Sequence, residues 1–534
     1  MALDFSQPYA AARSPVLGEN VVATSQPLAA QAGLRMLLAG GNAVDAAIAA
    51  AMTLTVVEPT GCGIGSDGFA ILWDGKELHG LNASGRSPAG WTPERFAGLT
   101  KMPERGWDAV TVPGAVSAWI ALWRRFGSLP LATIAAPAIH YAREGFPVSP
   151  IIARLWAQGG ALLGDQPGFA EAFLPGGRAP KAGERIRLLD HATTLERIVE
   201  TEGEAFYRGD LAARMAAHAR AHSAIPEATM TEDDLAAHQA DWVGTLSTPF
   251  AGGSVHEIPP NGQGIATLIA LGLLEAAGIG DRPVDDVETV HLAIEATKLA
   301  LADTARYIAD RDAMAIDPSA LLDPAYAAER ARLIDRARAR DPRHGAPKPG
   351  GTVYLTAADA SGMMVSFIQS NYMGFGSGIV VPGTGISLQN RGTGFTLERG
   401  HANEVGPRKR PFHTIIPGFA LDGTGQPLLS FGVMGGPMQA QGHLQMALRI
   451  MRYGQNPQAA ADAPRWRVGA GREVAVEASM DPALVEGLRA RGHSITVEAP
   501  DAFFAFGGAQ IIAKTADGYV AGSDPRKDGH AAAF

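Results

Sequence analysis

An eleven-residue stretch, 341–351 (DPRHGAPKPGG), divides this chain and limits its fold more than any other feature. Its three prolines and three glycines carry no apolar periodicity, so neither a helix nor a strand can run through it. Helical patterns dominate before it; short strands and turns dominate after it. The chain is 534 residues long, which suggests two to four lobes, although some single-core enzymes run longer.

Residues 27–39 read as a helix stopped by Gly40 and Gly41. Asn42 then caps a second helix, with Asp45 in its first turn near the positive dipole end. That helix, AVDAAIAAAMTL, is made of small residues all round and is expected to lie buried between other elements. A glycine-rich turn over 61–68 leads to a strand and turn at 69–75. Further helical patterns cover 113–145 and 285–340, and one more helix is expected around 436–452.

Directly after the break, two apolar runs flank Asp359-Ala360-Ser361-Gly362, a hairpin signal. Folded about Ala360 and Ser361, the chain places Thr352 opposite Gln369, or opposite Ser370 if the turn carries one more residue. In the second register the Thr352 and Ser370 side chains share a face within contact range. An ordinary hairpin after a linker has the same pattern. A threonine hydroxyl is a poor nucleophile without an adjacent base. At a chain start it carries its own, an α-amine of pKa about 7.7–8.0. That amine exists only once the Gly351–Thr352 bond is broken. Gly350 and Gly351 leave the carbonyl side of the bond unobstructed and free to distort. The expected route is attack of the Thr352 oxygen on the Gly351 carbonyl, acyl shift to an ester, then hydrolysis.

The net charge of −9 leaves no basic footprint for nucleic acid, and 46% hydrophobic with 19% charged residues is the balance of a soluble globular enzyme. A single cysteine, Cys62, excludes an internal disulfide and a cysteine-rich metal site, and reads as a small buried residue. The first residues show no basic start followed by an apolar core, and no apolar run is long enough to span a bilayer, so a cytoplasmic location is expected. Gly63-Ile64-Gly65-Ser66-Asp67-Gly68 matches GxGxxG but follows a helix and precedes a strand, the reverse of the order a dinucleotide site needs. Neither a GxSxG elbow nor an HExxH helix occurs. The 14 histidines are scattered, and Asp524-Pro525-Arg526 reads as a turn holding an internal ion pair.

Seven segments occur in a specific order: GGNAVDAAIAAAMTLTVVEPTGCGIGSDGF (40–69), VPGAVSAW (112–119), HLAIEATKLALADTARY (291–307), FGSGIVVPGTGISLQNRG (375–392), PRKRPFHTIIPG (407–418), GVMGGP (432–437) and SDPRKDG (523–529). Together they resemble the γ-glutamyltranspeptidase family of N-terminal nucleophile hydrolases over nearly the full length. The resemblance implies an α/β (α+β) fold, the four-layer αββα sandwich of that class. It also implies a precursor that cuts itself into 1–351 and 352–534, two chains that stay associated. By the same resemblance Thr352 is the nucleophile, Ser370 its supporting hydroxyl, and the amides of Gly435 and Gly436 the oxyanion hole. Such donors need no reorganisation as charge develops. The same two glycines also read as a strand-to-helix turn. No cofactor and no metal is implied; the partner is a small amide substrate, and a homo-oligomer stays open.

The chain departs from the transpeptidase pattern where the γ-glutamyl group is read. The threonine-threonine-histidine motif is Thr352-Val353-Tyr354 here. The acid for the substrate ammonium is missing from 389–394 (QNRGTG), and the paired serines become His413-Thr414. Ser84-Gly85-Arg86 stands where the carboxylate-gripping arginine is expected, its arginine displaced by two. Losing an acid and gaining Arg391 favours an acyl group with a carboxylate and no ammonium. A purely structural place for Arg391 and Arg86 is the alternative. The segment FHTIIPGF (412–419) is shared with a branch similar to oxamate amidohydrolase and to γ-glutamyltransferase-like proenzymes. Hydrolysis of a small, oxamate-like, carboxylate-bearing amide is therefore expected, with Arg391, His413, Thr414, Arg86 and Ser84 as substrate-binding candidates. The alternatives are γ-glutamyl hydrolysis or transfer on glutathione-like substrates, a glutaryl or cephalosporin acylase, and, from another class, an uncleaved, catalytically silent binding protein.

Overall fold

A computed structural model of the chain describes residues 4, 9, 13–342, 351–500 and 502–534. Most of the break expected at 341–351, including Gly350, lies outside the described residues.

The strands that build the frame are, in chain order, β1 Val16–Gly18, β2 Val21–Thr24, β3 Asp67–Trp73, β4 Leu78–Asn82, β5 Asp241–Trp242, β6 Leu246–Phe250 and β7 Gly253–Glu257. After the break come β8 Gly351–Ala358, β9 Met364–Tyr372, β10 Gly418–Leu421, β11 Pro427–Met434, β12 Gly508–Thr515, β13 Gly518–Ser523 and β14 His530–Ala533. They form two seven-stranded antiparallel sheets, β14-β2-β8-β9-β3-β4-β5 and β1-β13-β12-β11-β10-β7-β6. The sheets lie face to face, with β8 against β11 and β12. Helices α1 (Pro27–Leu38), α2 (Ala43–Val57) and α3 (Ala115–Phe126) cover the outside of the first sheet, and α4 (Leu131–Glu144) packs on α2. Helices α5 (Gly264–Ala277), α7 (Met438–Ala447) and α8 (Pro457–Asp462) cover the second, and α6 (Val287–Tyr307) packs on α5. The result is the expected four-layer αββα sandwich. Among the described residues no helix is long and apolar enough to cross a membrane.

Strands buried on both faces need apolar residues at every position rather than at alternate ones. Along β9, Met364 and Ile368 meet Tyr354, Met434 and Ile512 between the sheets, while Val365 and Phe367 face the helical layer. Every residue of α2 is buried, which its alanines allow. A Cβ on Gly33 of α1 would come within 2.9 Å of the Ala46 carbonyl oxygen, so only glycine permits that crossing. The predicted cap is present: Asn42 Oδ1 accepts from the Val44 and Asp45 amides, and Asp45 accepts from the Asn42 amide at 3.0 Å.

Two helical expectations divide. The stretch 113–145 becomes α3 and α4, separated at Gly127–Pro130, where the Trp123 indole donates to the Leu129 carbonyl. Within 285–340 only Val287–Tyr307 is a long helix; Pro318 and Pro324 each begin a short new element because proline cannot continue the preceding one.

Candidate active site

The hairpin adopts the second of the two registers. Ala358 pairs with Met364 and Val353 with Gln369, around a turn spanning 359–363. The ladder then shifts, so that Gly351 faces Tyr372 and Thr352 sits at the irregularity. Tyr372 takes a left-handed conformation there, at φ 76°, and donates its amide to Ser370 Oγ at 2.7 Å. Thr352 Oγ1 lies 3.0 Å from Ser370 Oγ, and both side chains are fully buried. On another side of Thr352, Gln439 Nε2 stands 3.4 Å from the same Oγ1.

Gly435 and Gly436 connect β11 to α7 as expected of a strand-to-helix turn. Their φ values of 134° and 59° exclude ordinary side chains, and a Cβ on Gly435 would strike Gly507 Cα at 2.9 Å. The turn sits at the positive end of α7, whose first turn carries Gln439, so this helix end is aimed at the Thr352 neighbourhood. Gln263, fully buried, donates from one amide nitrogen to the carbonyls of Thr414 at 2.6 Å and Gly436 at 2.9 Å. One side chain thus ties the glycine turn to the segment that carries His413 and Thr414.

Arg391 is fully buried. Its Nη1 donates to Thr414 Oγ1 at 2.8 Å, and its guanidinium lies 4.6 Å from the centre of the Tyr372 ring. Among the described residues, Nε and Nη2 have no partner. Burial pulls Arg391 down to about 10, against Asp67 and Tyr372, which hold it up, so it stays protonated at neutral pH. It lines a cavity of about 380 Å³ with Tyr372, Met373, Phe395, Thr414 and Pro437. Asp67, beside Ser370 across the β3–β9 ladder, accepts from the Gly85 and Gly114 amides at 3.2 and 3.1 Å and contacts His413 Nε2 at 3.0 Å. Burial raises its carboxyl to about 7, with Arg391 the main opposing influence. His413 is held well below the usual histidine range by burial, with Arg391 and Arg410 adding to the effect. The Ile415 amide donates to His413 Nδ1 at 3.3 Å, which leaves the ring proton on Nε2 for Asp67.

The structure brings Thr352, Ser370, Gly435, Gly436, Arg391, His413 and Thr414 into one neighbourhood. It does not bring in Arg86, which pairs with Asp310 at 2.9 Å and the Arg408 carbonyl at 3.1 Å, with 39% of its side chain exposed. The nearly buried Asp310 carboxylate captures the guanidinium and turns it away from the cavity. Ser84 is buried, its Oγ 2.7 Å from Asn82 Oδ1 in a network with Asn261. Asp67, Gln263 and Gln439 escaped the sequence reading. Asp67 stood in the glycine-rich turn of the 40–69 segment with no role of its own. The signal for Gln439 was a helix carrying Gln439, Gln441 and Gln445 that is buried on every side. Cys62 is buried against Gln369 Nε2 at 3.3 Å, and Asp524 forms the internal ion pairs expected, with Arg465 and Arg526.

Among the described residues, two side-chain groups have donors close enough to share a cation, His291/Glu295/His493 and Asp74/Glu77/His79. In the first, Glu295 already holds the Lys298 ammonium and His291 contacts His493 at 2.7 Å; in the second, His79 contacts Asp74 at 2.9 Å. Neither contains a residue of the Thr352 cluster.

A family model described as gamma-glutamyltranspeptidase matches residues 29–534. The glutathione hydrolase-like YwrD proenzyme of Bacillus subtilis (strain 168) is 37% identical, covering 97% of this chain and 99% of that protein. The oxamate amidohydrolase proenzyme of Klebsiella pneumoniae subsp. pneumoniae is also 37% identical, covering 95% of this chain and 97% of its own length. Among solved structures, a cephalosporin acylase from Bacillus halodurans matches at 46% identity with a TM-score of 0.92, covering 99% of each chain.

Proposed function

The chain belongs to the gamma-glutamyltranspeptidase family and is an amide hydrolase, and from that premise we propose that it matures by self-cleavage between Gly351 and Thr352 and then hydrolyses small amides whose acyl part carries a carboxylate. In maturation the Thr352 oxygen adds to the Gly351 carbonyl, the C–N bond breaks, and the nitrogen becomes the free α-amine. Water then hydrolyses the ester, giving chains 1–351 and 352–534. In turnover that amine takes the hydroxyl proton as Oγ1 attacks the substrate carbonyl. Ser370 steadies Oγ1, the Gly435 and Gly436 amides receive the developing oxyanion, the substrate C–N bond breaks as its amine leaves with that proton, and water clears the acyl-enzyme. Cleavage leaves the two chains interleaved, because β8 stays paired between β2 and β9.

Arg391 carries the substrate reading: a buried guanidinium on a 380 Å³ cavity with Nε and Nη2 unpaired among the described residues. A buried cation with open donors in fork geometry suits a carboxylate. Thr414 holds Arg391, and His413, kept neutral, adds no charge of its own. A γ-glutamyl group would also need an acid for its ammonium. Glu104 lines the cavity, yet it is paired with Lys101 at 2.8 Å.

The test is an amide panel on matured protein: oxamate, a glutaryl amide and a γ-glutamyl anilide. Turnover of the first or second above the third supports the proposal, and the reverse order overturns the substrate class. A single intact mass, unchanged on long incubation, would instead indicate an uncleaved binding protein.

A further inference from the structure

We infer that Gln439 is a further catalytic residue, whose carboxamide N–H donates to Thr352 Oγ1 in both self-cleavage and turnover; this rests on Thr352 being the nucleophile. The orientation of the amide is decided by its other end. The Ile416 backbone N–H donates to Gln439 Oε1 at 3.0 Å, and only the oxygen of a carboxamide can accept it. The NH2 end is therefore the one that faces Thr352 Oγ1 at 3.4 Å. Gln439 is fully buried in the first turn of α7, and Thr267 Oγ1 fastens that helix through the Ala440 carbonyl at 3.1 Å. Ser370 reaches Oγ1 at 3.0 Å. Ser370 and Gln439 thus converge on the attacking oxygen, and of these two side chains the one with a fixed proton is Gln439.

A donor at this oxygen acts where charge appears on it. When Oγ1 attacks, its proton leaves for the amine and its lone pair forms the new C–O bond. When water hydrolyses the ester, that C–O bond breaks and Oγ1 departs with the electron pair until it is reprotonated. In a buried site a fixed N–H aimed at this atom stabilises the departing oxygen without reorganising. The bond is long at rest and tightens as charge develops. Gln439 faces the attacking oxygen rather than a substrate group, so its effect falls on kcat rather than on substrate binding.

The experiment uses the full-length chain carrying Gln439→Glu or Gln439→Met, with Thr352→Ala and the parent alongside. The glutamate keeps the size and the acceptor for Ile416. Protonated, it offers an O–H in place of the N–H; ionised, it offers no donor. Between about pH 5 and pH 8 the ratio of Gln439→Glu to parent kcat is expected to fall as pH rises, with a loss of about tenfold or more at the alkaline end and KM nearly unchanged. Gln439→Met is expected to be impaired at every pH. Should the variants mature too slowly to assay, self-cleavage half-lives read by intact mass give the same ratio, with circular dichroism as the folding check. A Gln439→Glu enzyme within twofold of the parent throughout overturns the inference. So does a loss that is independent of pH and equal in the two variants. An active Thr352→Ala chain would instead overturn the nucleophile assignment itself.

Discussion

Asp67 Oδ2 lies 3.0 Å from His413 Nε2, and both side chains are wholly shielded from solvent. Burial raises the Asp67 carboxyl from 3.8 to about 7, so the folded protein keeps this proton over a range in which the unfolded chain has released it. The contribution to stability is full below about pH 3.8 and declines as pH rises to about 7. Asp67→Asn should remove that decline. The melting temperature of the variant relative to the parent would then rise with pH across this range. Parallel curves would show that Asp67 does not titrate in the folded state.

Thr352→Ala is expected to leave a single uncut chain with no turnover. Ser370→Ala also removes the acceptor of the part-buried Tyr372 amide, whose bond measures 2.7 Å. Losing such a contact costs ~1 kcal/mol, so self-cleavage should slow about fivefold rather than stop. Time courses of intact mass distinguish the two variants, and an unchanged rate in Ser370→Ala would remove its supporting part.

Arg391 and Arg86 make opposite predictions. Arg391→Gln should lower kcat/KM for a carboxylate-bearing amide by roughly a hundredfold, ~3 kcal/mol, while an uncharged analogue loses far less. Arg86→Ala should change neither by more than about twofold, because a half-exposed ion pair is worth ~1 kcal/mol at most and lies outside the cavity. Equal losses in both variants would contradict this division.

Asn42→Ala removes the acceptor for two amides at the start of α2 and should cost about 1 kcal/mol of stability. The kinetics should stay unchanged, since the Asn42 side chain bonds only the start of α2 and, through Nδ2, the Phe126 carbonyl at 2.7 Å, away from the Thr352 cluster. Denaturant midpoints together with kcat/KM check both halves of this expectation.

The pairing of Thr352 with Ser370 and the cap of α2 were legible in the linear chain because each depends on local geometry. A hairpin of two short strands allows only a few registers, and one of them sets Thr352 against Ser370, 18 positions away. Arg391 was visible as a charge in the wrong place for a γ-glutamyl site, but its burial and its open donors were not. Asp67 and His413 are 346 positions apart, and Gln439 stands 87 from Thr352. No local pattern reports contacts of that range. Arg86 and Arg391 looked alike as sequence and ended in opposite surroundings, one captured at the surface by Asp310 and the other sealed against Tyr372. The order of residues therefore determined which side chains meet at the β8 hairpin. Only the stacking of the two sheets decided which distant side chains surround it, because each long-range contact depends on how whole layers pack.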